Sequence, residues 1–85
     1  MPAFQPTESD LKRLGFRTNS PAQPFPTRTY HASLPNDNYL TLCPRPGMQT
    51  ACEFTGAGKM VARHTIRSLY DLQESVEGRG KRQVV

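Results

Sequence analysis

The chain has 85 residues, 35% of them hydrophobic, with 11 Lys and Arg against 7 Asp and Glu for a net charge of +4. That length holds one small domain with a marginal core, so a homo-oligomer is expected to add burial. The charge favours anionic partners without naming one, and no apolar run reaches the roughly 18 residues that would span a membrane.

The first element is a short helix. Thr7 suits its N-cap, Glu8 and Asp10 suit its positive end, and Gly15 suits the position past its last turn. So short a helix is unstable alone, and Leu11, Leu14 and Phe16 are expected to dock on the core or on a neighbouring subunit. Residues 17–28, with Asn19, Ser20, Pro21, Pro24 and Pro26, read as an extended Pro-rich arm, so 1–28 is taken as helix plus arm. Met1 to Pro6 has neither the basic nor the apolar stretch of a secretory leader, and a cytoplasmic location is the expectation, in a bacterial cell or an infected host.

The compact part, 29–78, is expected to hold three or four antiparallel strands and a C-terminal helix. Turn residues separate the strands: Pro35-Asn36-Asp37-Asn38 between 29–34 and 39–43, Pro46-Gly47 before 49–55, and Gly56-Ala57-Gly58 before 59–62. Centring the second hairpin on Pro46-Gly47 puts Tyr39, Thr41 and Cys43 on one face with Thr50, Cys52 and Phe54. Met60 and Ala62, then Tyr30, Ala32 and Leu34, complete it as the core face. The opposite face carries His31, Leu40, Leu42, Glu53 and Val61, an aliphatic strip that needs a cover: a partner, a second subunit, or Leu11 and Leu14 of the first helix. The last helix is expected to start near His64 or Thr65, with Thr65 as its cap, and to stop at Gly78; Ile66, Leu69, Tyr70, Gln73 and Val76 form its apolar stripe. Residues 79–85 read as a mobile basic tail. The fold class is thus α+β, a small antiparallel sheet with the C-terminal helix packed on one face.

The best place for a ligand is the segment from Gly56 to Arg67. Gly56 and Gly58 let backbone N–H groups approach an anion, Lys59 adds charge, and Arg63, His64 and Arg67 lie at the expected helix start, where the dipole attracts phosphate. Arg45, Arg79, Lys81 and Arg82 are secondary candidates. The segment is not a Walker A loop, since Met60 rather than Ser or Thr follows Lys59. Zinc is not expected: Cys43, Cys52, His31 and His64 lack ligand spacing, and His31 falls opposite the cysteines. Cys43 and Cys52 are expected to be reduced and buried. Tyr30, Tyr39, Phe54 and Tyr70 could stack on bases, but all fall on the expected core face. No nucleophile–base–acid set or carboxylate pair is recognisable, and Glu53 is the one strand acid available as a base, so no enzyme and no cofactor are expected.

Leu11-Lys12-Arg13-Leu14-Gly15-Phe16 and Thr65-Ile66-Arg67-Ser68-Leu69-Tyr70-Asp71-Leu72-Gln73 resemble segments of small single-domain accessory proteins of bacteriophages and mobile elements. The resemblance implies an oligomer that acts by binding, either blocking a host protein or sequestering a nucleotide signal of host defence. The expected function is therefore a non-catalytic binding protein for a phosphate-bearing ligand, nucleotide or nucleic acid. A protein–protein inhibitor or adaptor using the Leu40/Leu42/Val61 face is the alternative.

Overall fold

The computed structural model describes residues 4–85; the part of the leader reading that concerns residues 1–3 lies outside them. Helix α1 (Glu8–Arg13) starts as expected, with Thr7 Oγ1 accepting from the Asp10 N–H at 3.0 Å and Asp10 Oδ2 accepting from the Thr7 N–H at 3.2 Å. It ends through two reversed bonds, Gly15 N–H to Lys12 O and Phe16 N–H to Leu11 O. These need a residue with positive φ after the helix, and Gly15 adopts +94° without a Cβ penalty. The same turn tucks Leu11 and Phe16 into the core.

Six strands follow rather than three or four: β1 (Arg17–Thr18), β2 (Tyr30–Ser33), β3 (Tyr39–Leu42), β4 (Thr50–Phe54), β5 (Met60–Thr65) and β6 (Arg82–Val84), with α2 (Leu69–Val76) between the last two. All pair antiparallel in chain order, forming one sheet. The arm and the tail therefore do not stand apart from the compact part. Arg17 and Thr18 pair with His31 and Tyr30, and Arg82 to Val84 pair with His64 to Ala62.

The β3–β4 register matches the turn argument, Tyr39 opposite Phe54 and Thr41 opposite Cys52, and the Arg45-Pro46-Gly47-Met48 turn closes with a 3.1 Å bond. The face assignment is reversed. Leu34 N–H bonds Asn38 O, so the β2–β3 loop is the three residues Pro35-Asn36-Asp37, with Asp37 at φ 69°. Asp tolerates that left-handed conformation better than most side chains. One residue fewer in the loop moves β3 by one position against β2, which exchanges its faces. Leu40 and Leu42 are thus paired with Ala32 and Tyr30 and buried, at 0% and 4% exposure. They join Leu11 from α1 and Leu72 from α2 in one core. The expected exposed strip of Leu40, Leu42 and Val61 does not exist, because the first helix is part of its cover.

A second irregularity sits in β5. Phe54 pairs with Met60 but Glu53 pairs with Ala62, so Val61 is an extra residue in the ladder, a bulge. It turns Ala62 and His64 to the inner face, whereas an unbroken alternation from Met60 would have turned them out. β5 also continues through Thr65, and α2 starts later than expected: Ser68 Oγ accepts from the Asp71 N–H and Asp71 Oδ2 from the Arg67 N–H. Gly78 ends α2 as anticipated, with its N–H on Ser75 O and the Arg79 N–H on Glu74 O.

Candidate functional site

The residues proposed from sequence as one phosphate site are divided. Gly56, Gly58 and Lys59 form the exposed tip of the β4–β5 hairpin, where Thr55 N–H bonds Lys59 O across a three-residue loop. Arg67 lies past the opposite end of β5, roughly 20 Å or more away at about 3.3 Å per residue. Arg63 and His64, neighbours in one strand, point to opposite faces. Neither lies at a helix N-terminus, since four residues lie between Arg63 and the Ser68 cap and three between His64 and that cap. A single pocket made by all of these side chains is excluded.

The inner face carries a polar centre in the middle of the core. Glu53, His64 and Ser75 are 1%, 2% and 0% exposed. The Glu53 carboxylate accepts five hydrogen bonds: His64 Nε2 and Arg82 Nε at 2.8 Å on Oε1, and Asn38 Nδ2 at 2.6 Å, Arg82 Nη2 at 3.0 Å and Asn36 Nδ2 at 3.1 Å on Oε2. Arg82 is the largest influence holding this carboxyl well below the usual carboxylate range; Asn38, His64 and Asn36 add to it against the opposing effect of burial. A carboxylate only accepts, so His64 Nε2 carries the proton of its contact. Nδ1, 3.0 Å from Ser75 Oγ, has a partner whether it accepts or donates.

The order Ser75, His64, Glu53 has the sequence of a nucleophile, a base and an acid. Its geometry does not expose one. Ser75 is closed to solvent and lies beneath Gly80, and every Glu53 oxygen is occupied. The centre instead ties β4, β5, β6, α2 and the β2–β3 loop together, and no buried side-chain polar atom among the described residues lacks a partner. A cavity of 260 Å³ beside it is lined by these groups with Leu34, Pro35 and Gly78. A Cβ at Gly80 would approach Ser75 Oγ and stand 2.7 Å from Ser75 Cα. The latter is backbone and cannot swing aside. Gly80→Ala is therefore expected to cost about 1–3 kcal/mol by overpacking, read as a lower urea midpoint; an unchanged midpoint would contradict this packing.

The outer face of the sheet is open. One cross-strand row crosses all six strands: Arg17, His31, Thr41, Cys52, Arg63 and Gln83. The next row is Ser33, Tyr39, Phe54 and Met60. Tyr39 and Phe54 stack with ring centroids 5.5 Å apart and planes at 16°. Both are half-buried on this face, not in the core as expected; Tyr70 is exposed, and only Tyr30 of the four aromatics is buried. Cys43 and Cys52 are half-buried rather than buried.

The charges also separate. Arg82 is committed to Glu53, and Arg79 to Glu74 and Glu77. Arg17, Arg45, Lys59, Arg63, Arg67 and Lys81 have no carboxylate partner among the described residues. Of these, Arg17 and Arg63 share the open face with the aromatic pair. Arg45, Arg67 and Lys81 lie beyond the opposite end of the sheet from Lys59. Strand alternation with the correct loop length places His31, Thr41 and Cys52 in the outer row, but Arg63 joins it only through the Val61 bulge; nothing local marks the Asn36 and Asn38 amides as ligands of a buried carboxylate. No protein-family model, no curated protein and no solved structure matches this chain.

Proposed function

We propose that the chain is a non-catalytic binding protein for a phosphate-bearing ligand, a nucleotide or nucleic acid, held on the open face of the sheet. The observation that carries this reading is the pairing on one solvent-facing surface of uncompensated cations, Arg17 and Arg63, with the stacked Tyr39 and Phe54. Arginine gives phosphate a forked, charge-assisted contact, and aromatic rings give bases a surface to stack on. Lys59 at the hairpin tip extends the positive surface. His64 and Arg82, already engaged with Glu53, leave the ligand set; Arg67, Arg45 and Lys81 remain as outlying contacts for a long ligand. The open edges of β1 and β6 support a homo-oligomer, since edge strands carry free ladder groups. The phage-protein resemblance extends the proposal to an accessory that sequesters a host-defence nucleotide without turning it over.

Arg63→Ala is expected to weaken binding by about tenfold to a hundredfold, the loss of one charge-assisted contact of about 1.5–3 kcal/mol. The urea midpoint should stay close to that of the parent, because Arg63 is exposed. Calorimetry against mono-, di- and cyclic nucleotides and a short oligonucleotide at low salt, with the ligands recovered and checked for turnover, tests the reading. No heat from any of them would remove it, and chemical conversion would remove its non-catalytic part. Light scattering at a one-chain mass of 9.5 kDa would remove the oligomer.

A further inference from the structure

A groove lies on the outer face beside β2 and β3, lined by Asn19 and Thr29 of the arm with His31, Ser33, Tyr39 and Thr41 and holding 500 Å³. That size is within the range of about 300–1,000 Å³ common to small-molecule clefts. Its chemistry is specific. Tyr39 brings a flat ring held in orientation by its stack on Phe54, His31 brings a second planar ring, and Asn19 brings an amide able to donate and accept in one plane. Among the described residues, Asn19, Thr29, His31, Ser33 and the Tyr39 hydroxyl make no side-chain hydrogen bond to the protein. Unspent planar donors and acceptors beside aromatic faces match the edge and face of a nucleobase. Arg17 sits directly opposite His31 in the register, which puts a cation at the rim of the groove.

The second observation is the spacing of the cations. Arg17 on β1 and Arg63 on β5 are four strand intervals apart, roughly 19 Å at about 4.8 Å per interval. One phosphate cannot meet both. A chain of phosphates can.

Resting on the open-face reading above, we infer that the ligand is a single-stranded nucleic acid, with one unpaired base in the Tyr39 groove and its backbone running across the strands from Arg17 towards Arg63. A duplex does not fit, because its bases are stacked on each other and their faces are closed. Binding along the row draws on charge and is tolerant of sequence, whereas the groove adds a preference for the presence and kind of base.

The test is fluorescence anisotropy of the full chain with labelled ten-nucleotide oligomers of T, A or C, an abasic ten-mer, a self-complementary duplex and free mononucleotides. The expected result is tighter binding of base-bearing single strands than of the abasic strand, by roughly fivefold to a hundredfold. Tyr39→Leu should abolish that difference. Asn19→Ala, on the exposed arm, should change the ranking of the bases and leave the salt slope alone, while Arg63→Ala should flatten the slope by about 0.7. Equal, salt-sensitive binding of abasic and base-bearing strands would overturn the base groove and leave the phosphate reading standing. A mononucleotide or duplex bound as tightly as the single strand would overturn the single-strand inference. Absence of binding to every probe would overturn both. Should Tyr39→Leu fail to fold, the abasic comparison and Asn19→Ala still decide the matter.

Discussion

Glu53→Ala is expected to lose about 3–5 kcal/mol of stability, the usual result of removing one partner from a buried ion pair. An 85-residue domain holds only about 4–13 kcal/mol in total, so the variant should be close to unfolded at room temperature. The cost does not arise mainly at Arg82, which is partly exposed and can turn to water. It arises at His64 Nε2 and at the Asn36 and Asn38 amides, which point at the vacated position. Glu53→Gln retains the shape and one acceptor but turns an NH₂ towards donors, so a smaller loss, about 1–3 kcal/mol, is expected.

The same carboxylate predicts a pH dependence. Its folded-state pKa is depressed, chiefly by Arg82, so its stabilisation is complete above the unfolded carboxylate value of about 4.3 and is lost as pH falls below that. Partly exposed Glu8, Asp10 and Glu74 are also lowered by their partners and contribute an acid limb of their own. Urea titrations of the parent and Glu53→Gln at pH 7, 5, 4 and 3 separate the two contributions. The parent should fall more steeply below about pH 4.5, and the gap between the proteins should close; parallel curves would show that Glu53 is not the ionised centre described above.

Leu40→Ala is expected to cost about 2–5 kcal/mol, as for other fully buried leucines. The alternative reading of the sequence, with Leu40 on an exposed partner-binding strip, makes the opposite prediction: unchanged stability and a lost partner. Val61→Ala serves as the control, since Val61 is half-buried at the bulge and should cost far less. A Leu40→Ala midpoint equal to the parent's would contradict the inner-face assignment.

What was legible in the residues was local. Thr7 with Asp10, Gly15 and Gly78 mark helix ends because a cap involves neighbours within a turn of each other. Pro46-Gly47 carries the β3–β4 register for the same reason. The α+β class also follows from such signals. Two features had no local signal. The β2–β3 loop is one residue shorter than its turn-forming residues suggest, and β5 carries one residue more than its ladder needs. In a sheet, a shift of one position exchanges the faces, so alternation alone places the core strip of Leu40 and Leu42 on the surface and the open face of Tyr39, Phe54 and Cys52 in the core.

His64 and Thr65 show the same limit from another side. Thr65 is a plausible cap, yet the chain stays extended there because β4 pairs on one side and β6 on the other. Residues 82–84 have no strand pattern of their own; they become β6 because the edge of β5 is free and because Arg82 finds a buried carboxylate 29 residues earlier in the chain. Residues close together in the chain set the caps and the turns, and composition alone sets the excess of positive charge. Which cation is spent on Glu53 and which stand free beside the aromatic pair follows from the folded arrangement, because that division depends on pairings between distant segments and on a bulge that no neighbouring residue announces.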